Sequence, residues 1–205
     1  TFTGAPQWHN QRTTAATIAD YIKYGVDGEP NIKLNPDAGY LNGSEYNMRT
    51  NYYHKPIASL NWDYKISDKM KLSTVVYASW GRGGGTSASG GIRGNAYTNA
   101  LFKKADGSVD FDKIYSWNSG QPTQIGTNTF TRTLTNGIYL NSIDSGSSTI
   151  NSTGISKIAS TNSHNWYGAV ASLNTKLTDE ITWDFGIDMR TYKGIHFQTV
   201  NDKLG

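Results

Sequence analysis

Two stretches of alternating side chains constrain the fold of this chain more than any other feature. In residues 57–80, apolar side chains recur at every second position on both sides of a polar turn at 67–69. Residues 167–190 repeat this plan around a turn at 178–180. A period of two is typical of strands with two different faces. The sequence therefore predicts two β-hairpins, each with a very short turn.

The length of these strands favours a membrane. They run for about 10 to 12 residues, close to the roughly 9 to 11 that a tilted strand needs to cross the hydrocarbon layer. Strands of soluble proteins average about half that length. Alternation alone does not show whether the strands lie in a membrane or in water, because the strands of a soluble β-sandwich alternate as well.

Aromatic residues on the apolar face fall into two groups. Trp62, Tyr64 and Trp183 lie near the short turns, whereas Trp80 and Tyr167 lie at the opposite strand ends. Amphipathic rings collect where lipid meets water, and transmembrane barrels carry an aromatic girdle at each interface. We therefore predict that these five residues are membrane-interface aromatics.

The predicted connections differ strongly in length: the turns at 67–69 and 178–180 are very short, whereas the loop at 81–163 is long. Outer-membrane barrels likewise have short periplasmic turns and long extracellular loops. The predicted class is all-β: part of a transmembrane antiparallel β-barrel, with about four strands in two hairpins. All segments belong to one barrel domain. They are an extracellular loop region with a possible short helix (1–53), the first hairpin (54–80), a long extracellular loop (81–163), the second hairpin (164–192) and the start of another loop (193–205).

Four strands cannot close a barrel, since the smallest bacterial barrels have about eight. An open sheet edge in lipid leaves backbone groups unpaired, at a cost of several kcal/mol each. The barrel interpretation thus implies that the chain is a piece of a larger barrel. The alternative is a soluble β-sandwich with a large insertion.

Three segments carry a resemblance to a known family: GAPQWHNQR (4–12), NYYHKPIASLNWDYKISDKMKLSTVVYASWGRGGG (51–85) and the stretch from NSHNWYGAVASLNTKL to the end (162–205). They resemble the barrel of TonB-dependent outer-membrane receptors, the SusC/RagA-like group of Bacteroidetes. The resemblance implies a 22-strand barrel with a plug, in the outer membrane of a Gram-negative bacterium. It implies energy-coupled uptake of a scarce nutrient such as a glycan, a peptide or a metal chelate.

The resemblance also implies partners. These are outer-membrane lipid, the TonB complex acting through parts absent from this chain, and a SusD-like surface lipoprotein that closes over the extracellular mouth. Two other functions stay open. One is a surface adhesion protein in which the barrel displays residues 81–163 to a partner, and the other is a soluble glycan-binding β-sandwich.

Composition argues against several other classes. The net charge is only +3 and the basic residues are scattered, so a nucleic-acid surface is not indicated. The glycines of 81–85 do not open a helix after a strand, as a phosphate-binding loop requires. No G-x-S-x-G sequence or other nucleophile signature occurs. We predict neither an enzyme nor a bound cofactor.

A metal site is not predicted either. The aspartates of DGSVDFD (106–112) are spaced like a calcium loop, but Phe111 and Trp117 stand where Gly and Glu are needed. A surface turn is the better account. The four histidines lack metal-ligand spacing. We interpret His54 and His164 as polar residues near the outer rim of the barrel.

Three shorter elements are predicted outside the hairpins. Residues 13–25 place Ala15, Ile18, Ala19 and Ile22 on one helical face and end at Gly25. Residues 111–117 form a short helix or strand. Residues 130–141 form a hairpin that turns at 136–137.

Loop aromatics are the candidates for contact with a substrate or partner, because their rings stack on sugars or peptide side chains. The alternative for each is a packing role within the loops. The candidates are Trp8, Tyr97, Tyr115, Trp117 and Tyr139.

Overall fold

The computed structural model of the chain describes residues 1–134, 136–139 and 153–205. Strands dominate, so the chain is all-β in class. The strands are β1 (Phe2–Thr3), β2 (Gln7–Asn10), β3 (Ala38–Leu41), β4 (Ser44–Asn47), β5 (Thr50–His54), β6 (Ile57–Ser67), β7 (Met70–Gly90), β8 (Val109–Asp110), β9 (Thr123–Ile125), β10 (Asn128–Phe130), β11 (Ile155–Lys176) and β12 (Thr182–Asp202). The helices are α1 (Ile18–Lys23), α2 (Phe111–Asn118) and one 3-10 turn (Ala100–Phe102).

Both predicted strand pairs lie in one sheet. Its order is β1, β6, β7, β11, β12, and β5 pairs with both β7 and β2. β6 and β7 are antiparallel, with Leu60 opposite Val76. The turn between β11 and β12 is closed by the Leu177 amide, which donates to the Ile181 carbonyl at 2.9 Å. Within the described residues this sheet stays open, with β12 at one edge.

β7 is longer than the sequence predicts. The loss of alternation after Trp80 predicts that the strand ends there, but it continues to Gly90. Its pairing continues because β5 also pairs with it, and the Thr50 amide donates to Thr86 Oγ1 at 2.7 Å. This part of β7 consists mostly of glycine, serine and threonine, so the apolar pattern disappears there. Its backbone nevertheless stays paired in the sheet.

The second strand pair is extended in the same way. β11 begins at Ile155, within the predicted loop, and β12 continues past residue 192 to Asp202. The hairpin boundaries predicted at 164 and 192 follow the apolar alternation and therefore mark only part of each strand.

Three glycines of the sheet lie directly against aromatic rings of neighbouring strands, and we call these pairs glycine seats. A Cβ atom at any of these glycines would come within 2.4 Å of the ring. The missing side chain therefore gives the ring its space. Two of the glycines belong to the glycine-rich stretch 81–85, which is strand and not a phosphate-binding loop. The seats are Gly81 with His164, Gly83 with Tyr53, and Gly168 with Tyr77.

The chain divides into two compact units, each made of several segments. Unit 1 contains the alternating parts of β6, β7, β11 and β12, and unit 2 contains both helices. Unit 1 is Thr1–Gln7, Tyr52–Gly84 and Thr161–Phe197, and unit 2 is Trp8–Asn51, Gly85–Ser160 and Gln198–Gly205.

Unit 2 has a hydrophobic core of its own. α2 packs against β3 and β9, and its largest side chain, Trp117, is fully buried. Burial of such apolar surface is the main force that stabilises a fold. The other buried members of this core are Met48, Ile92, Tyr97, Phe102, Val109, Phe111, Ile114, Ile125, Ile155 and Leu204.

The buried carboxylate of Asp37 ties the loops of unit 2 together. It accepts hydrogen bonds from the Thr13 and Thr14 amides at 2.8 and 2.9 Å, and from the hydroxyls of Thr14 and Tyr97. Burial alone would raise the pKa of Asp37, but these hydrogen bonds outweigh it and hold the pKa below its usual value. Burial and the Asp37 carboxylate raise the pKa of Tyr97 to about 12, so its hydroxyl stays a donor.

The short elements confirm part of the local prediction. Residues 111–117 are helical, and α1 lies within the predicted helix, where Thr17 and Asp20 form a capping box. The predicted apolar face of α1 is not buried, however. Ile18 and Ile22 are 79% and 62% exposed, so packing does not follow the helical periodicity there.

The hairpin predicted at 130–141 is described only in part, because residues 135 and 140–152 lie outside the described residues. Phe130 belongs instead to a hairpin of β9 and β10, where it is opposite Thr123. Asn136 and Gly137 have φ values of 50° and 81°, which suits the turn predicted there.

Replacement of Gly39 by alanine should destabilise unit 2. Gly39 is opposite Val109 in the parallel pair of β3 and β8, and a Cβ atom would come within 1.9 Å of the Val109 carbonyl oxygen. Because that atom belongs to the backbone, we expect a loss of about 1 to 3 kcal/mol in the free energy of unfolding, measured with urea. Gly85→Ala is the control. Its Cβ would meet nothing closer than 3.7 Å, and a change within about 0.5 kcal/mol is expected.

The Asp37 carboxylate should make stability depend on pH. Its pKa is lowered in the folded state, so its contribution is present above the unfolded value of about 3.9 and is lost as pH falls through the folded value. Asp37→Asn should cost about 2 to 3 kcal/mol at pH 7 and flatten the acid limb of the stability curve. Asp27→Asn, at an exposed position, should leave that limb unchanged. An unchanged acid limb in Asp37→Asn would contradict this role.

Candidate functional site

The alternating face of unit 1 is a continuous apolar surface exposed to solvent. Leu60 is 69% exposed and Met189 is 61% exposed, although both lie in the middle of long strands. A surface of this kind marks contact with lipid or with another protein. We call it the apolar face. Its other large exposed members include Trp62, Tyr64, Ile66, Val76, Trp80, Tyr167, Ile181, Trp183, Phe185 and Ile187.

The opposite face of the same strands is polar, and we call it the polar face. Its charged and polar side chains pair with one another. Lys71 Nζ lies 3.2 Å from Asp63, and the Asn174 amide donates to Asp184 at 2.6 Å. Arg190 and Asp188 form a further ion pair. The sheet of unit 1 therefore separates an apolar side from a side suited to water.

The five predicted interface aromatics all lie on the apolar face and are 39–57% exposed. The rings of Trp62 and Tyr64 are 5.8 Å apart, and those of Trp183 and Phe185 are 5.9 Å apart. Trp80 and Tyr167 lie further from the short turns. This placement agrees with two aromatic bands, whose membrane role remains a prediction.

The apolar face also has a shallow groove of about 650 Å³. Ala58 lies opposite Ala78, and these two small side chains leave a depression between larger neighbours such as Leu60 and Tyr167. The groove is therefore a consequence of side-chain size within this face.

The five loop aromatics differ in what they can contact. Tyr97 and Trp117 are buried, and Trp117 Nε1 donates to the Thr153 carbonyl at 2.8 Å. They act as packing residues, which is the alternative that the sequence left open. Trp8, Tyr115 and Tyr139 are 65%, 47% and 38% exposed and can reach a ligand. In the described part of the chain, no two of the five form a ring pair.

The aspartates of 106–112 serve three separate local roles. Asp106 accepts from the Ser108 amide and hydroxyl, at 2.9 and 2.6 Å, which is a turn. Asp110 caps α2 through the Lys113 amide, and Asp112 accepts from the Asn42 amide at 2.7 Å. Among the described residues, no cluster of three histidine or carboxylate side chains could hold a metal ion.

Unit 2 has a polar pocket of about 250 Å³ beside α1. Lys103 lines it and donates from Nζ to the Pro36 carbonyl at 2.6 Å. Burial lowers the pKa of Lys103 to about 8, although the carboxylates of Asp37 and Asp20 oppose that change. The other polar lining residues include Thr14, Lys23 and Thr98. The pocket can accept a small polar molecule.

A group of aromatic residues on the polar face was missed by the sequence interpretation. The rings of Tyr77 and Trp166 are 6.1 Å apart, those of Trp166 and Tyr192 are 6.4 Å apart, and those of His164 and Tyr192 are 6.0 Å apart. We call these four residues the aromatic strip. They come from three strands. The alternating pattern of each strand does not reveal how these strands are aligned with one another. The only sequence signal was four rings on polar-face positions.

No helix in the described residues is long and apolar enough to cross a membrane. No protein-family model, curated protein or solved structure matches the chain. What the chain does must therefore be argued from these two faces and from the loops of unit 2.

Two tryptophan substitutions separate packing from exposure among the loop aromatics. Trp117→Phe should lower the free energy of unfolding by about 1 to 3 kcal/mol, because the buried Thr153 carbonyl loses its hydrogen bond. Trp8→Phe should change it by less than about 0.5 kcal/mol, since that ring is exposed. Both values follow from urea unfolding monitored by circular dichroism. An equal loss in Trp8→Phe would mean that Trp8 also packs.

Proposed function

We propose that the chain is a segment of an outer-membrane TonB-dependent importer, in which unit 1 is part of the barrel wall and unit 2 belongs to its extracellular loops. In this role the protein carries a scarce nutrient inward by gated passage and performs no chemistry on it. The short turns after β6 and β11 would face the periplasm, and the long connection between β7 and β11 would face outward.

The exposed apolar face of unit 1 is the observation that carries this proposal. A sheet in water normally buries its apolar face against a second layer of helix or sheet. Here β12 is exposed at nearly every residue, and large side chains such as Phe185 and Ile187 are about half exposed. Hydrocarbon would cover this face without a second protein layer, while the polar face would line an aqueous interior.

The free edges of the sheet support the same proposal. Within the described residues, β12 has a neighbour on one side only, and residues 1–3 cover only the first three residues of β6, from Ile57 to Ser59. Lipid cannot satisfy unpaired backbone groups, so a membrane sheet must continue into further strands. The proposal therefore requires additional strands beside both edges. The TonB complex and a SusD-like surface lipoprotein would act on the complete barrel.

The importer class rests on the resemblance of the segments around both hairpins, since many barrels share the physical features above. A second candidate is a surface protein whose barrel displays its loops to a partner. The separate core of unit 2 favours that candidate, because a packed core gives a displayed surface a fixed shape. Nutrient uptake that stops when the proton gradient is collapsed would distinguish the importer from the display protein.

Arginine substitutions on neighbouring residues test which face meets lipid. Leu173→Arg places a charge on the apolar face between the two predicted aromatic bands and should cost about 2 to 4 kcal/mol in lipid vesicles. Asn174 lies on the polar face and donates to Asp184, so arginine there keeps an acidic partner and should cost less than about 1 kcal/mol. Reversible urea unfolding of the complete barrel in lipid vesicles provides both values. Equal tolerance at the two positions would contradict the proposed orientation.

A further inference from the structure

The aromatic strip crosses three neighbouring strands of unit 1. Trp166 is at its centre, and the rings of Tyr77 and Tyr192 meet it nearly edge-on, at interplanar angles of 82° and 86°. The third glycine seat gives Tyr77 its space, because a side chain at Gly168 would collide with the ring. The strip is thus a built feature of this face, and its rings offer apolar surface within a polar environment.

A positive charge lies on the strip without a carboxylate partner. Lys55 Nζ is 5.7 Å from the centre of the Trp166 ring and forms no ion pair within the described residues. The carboxylate of Asp188, which lies on the same face, is already bound to Arg190. A single acidic group on a ligand could therefore pair with Lys55 without displacing a protein carboxylate.

The polar atoms of the strip are mostly unused donors. The Tyr77 and Tyr192 hydroxyls, the Trp166 indole N–H and the Lys55 ammonium form no hydrogen bond with any described residue. An indole N–H and an ammonium can only donate, so the matching ligand atoms are acceptors. The strip thus combines ring surfaces, several donors and one free positive charge.

We propose that the aromatic strip with Lys55 binds small organic acids that carry a ring, with the ring against Trp166 and the carboxylate on Lys55. The proposal rests on the proposed function only in that the polar face must be open to solutes. It names the class of solute that would pass through the barrel and attributes the preference for a negative charge to Lys55.

The test compares binding of benzoate and of its neutral counterpart benzamide to the complete barrel in detergent, by equilibrium dialysis. We expect benzoate to bind at least about tenfold more tightly, as a charge-assisted hydrogen bond of 1.5 to 3 kcal/mol predicts. Lys55→Gln should remove this preference, and Lys55→Arg should keep most of it. Lys71→Gln is the matched control on the polar face, because Lys71 is already paired with Asp63.

The ring contact has its own pair of variants. Trp166→Leu should weaken both probes about equally, whereas Trp183→Leu on the apolar face should weaken neither. Equal binding of benzoate and benzamide, or a preference that survives in Lys55→Gln, would overturn the proposal. Tighter binding of a neutral sugar such as maltose than of benzoate would overturn it in favour of a carbohydrate surface. The arginine test at Leu173 and Asn174 shows which face meets lipid and does not depend on ligand binding. The proposed function and the proposed binding site can therefore fail independently.

Discussion

A β-sheet has two faces and two edges, and the side chains and backbone groups on each must meet a medium that suits them. In unit 1 the apolar face is exposed and the polar face carries ion pairs, and among the described residues nothing pairs with the outer side of β12. Water suits only the polar face. This mismatch is what the proposed membrane setting resolves, since lipid covers the apolar side and further strands pair with the edges.

Unit 2 meets the same requirement by itself. Its core side chains are buried around Trp117 and Phe102, although those of α1 stay exposed, and the carboxylate of Asp37 is satisfied by amides and hydroxyls from its own loops. A buried charge held in this way resists rearrangement, because each lost donor leaves part of the carboxylate unsatisfied. The two units therefore differ in packing: the described residues of unit 2 surround a buried core, whereas unit 1 leaves its apolar face exposed.

Alternation predicted β6 and the first halves of β7 and β12 because one face of each is strongly apolar, as at Leu60, Val76 and Phe185. It could not follow β7 to Gly90, where small side chains carry no apolar signal and backbone pairing with β5 decides the structure. Local sequence could not separate buried Trp117 from exposed Trp8 either, because burial depends on distant segments such as Thr153. The aromatic strip likewise depends on the register between strands.

The glycine seats bear on how the strands find that register. Alternation penalises a slip by one residue, which turns every side chain to the wrong face, but a slip by two residues keeps each face unchanged. A two-residue slip between β7 and β11 would replace Gly168 with Trp166 or Val170 against the Tyr77 ring, where even a Cβ atom would come within 2.4 Å. The Gly168 seat thus distinguishes between alignments that hydrophobicity treats as equal, whereas the stretch 81–85 has glycine at every second position and does not. A single glycine opposite a ring therefore marks the alignment of β11 with β7.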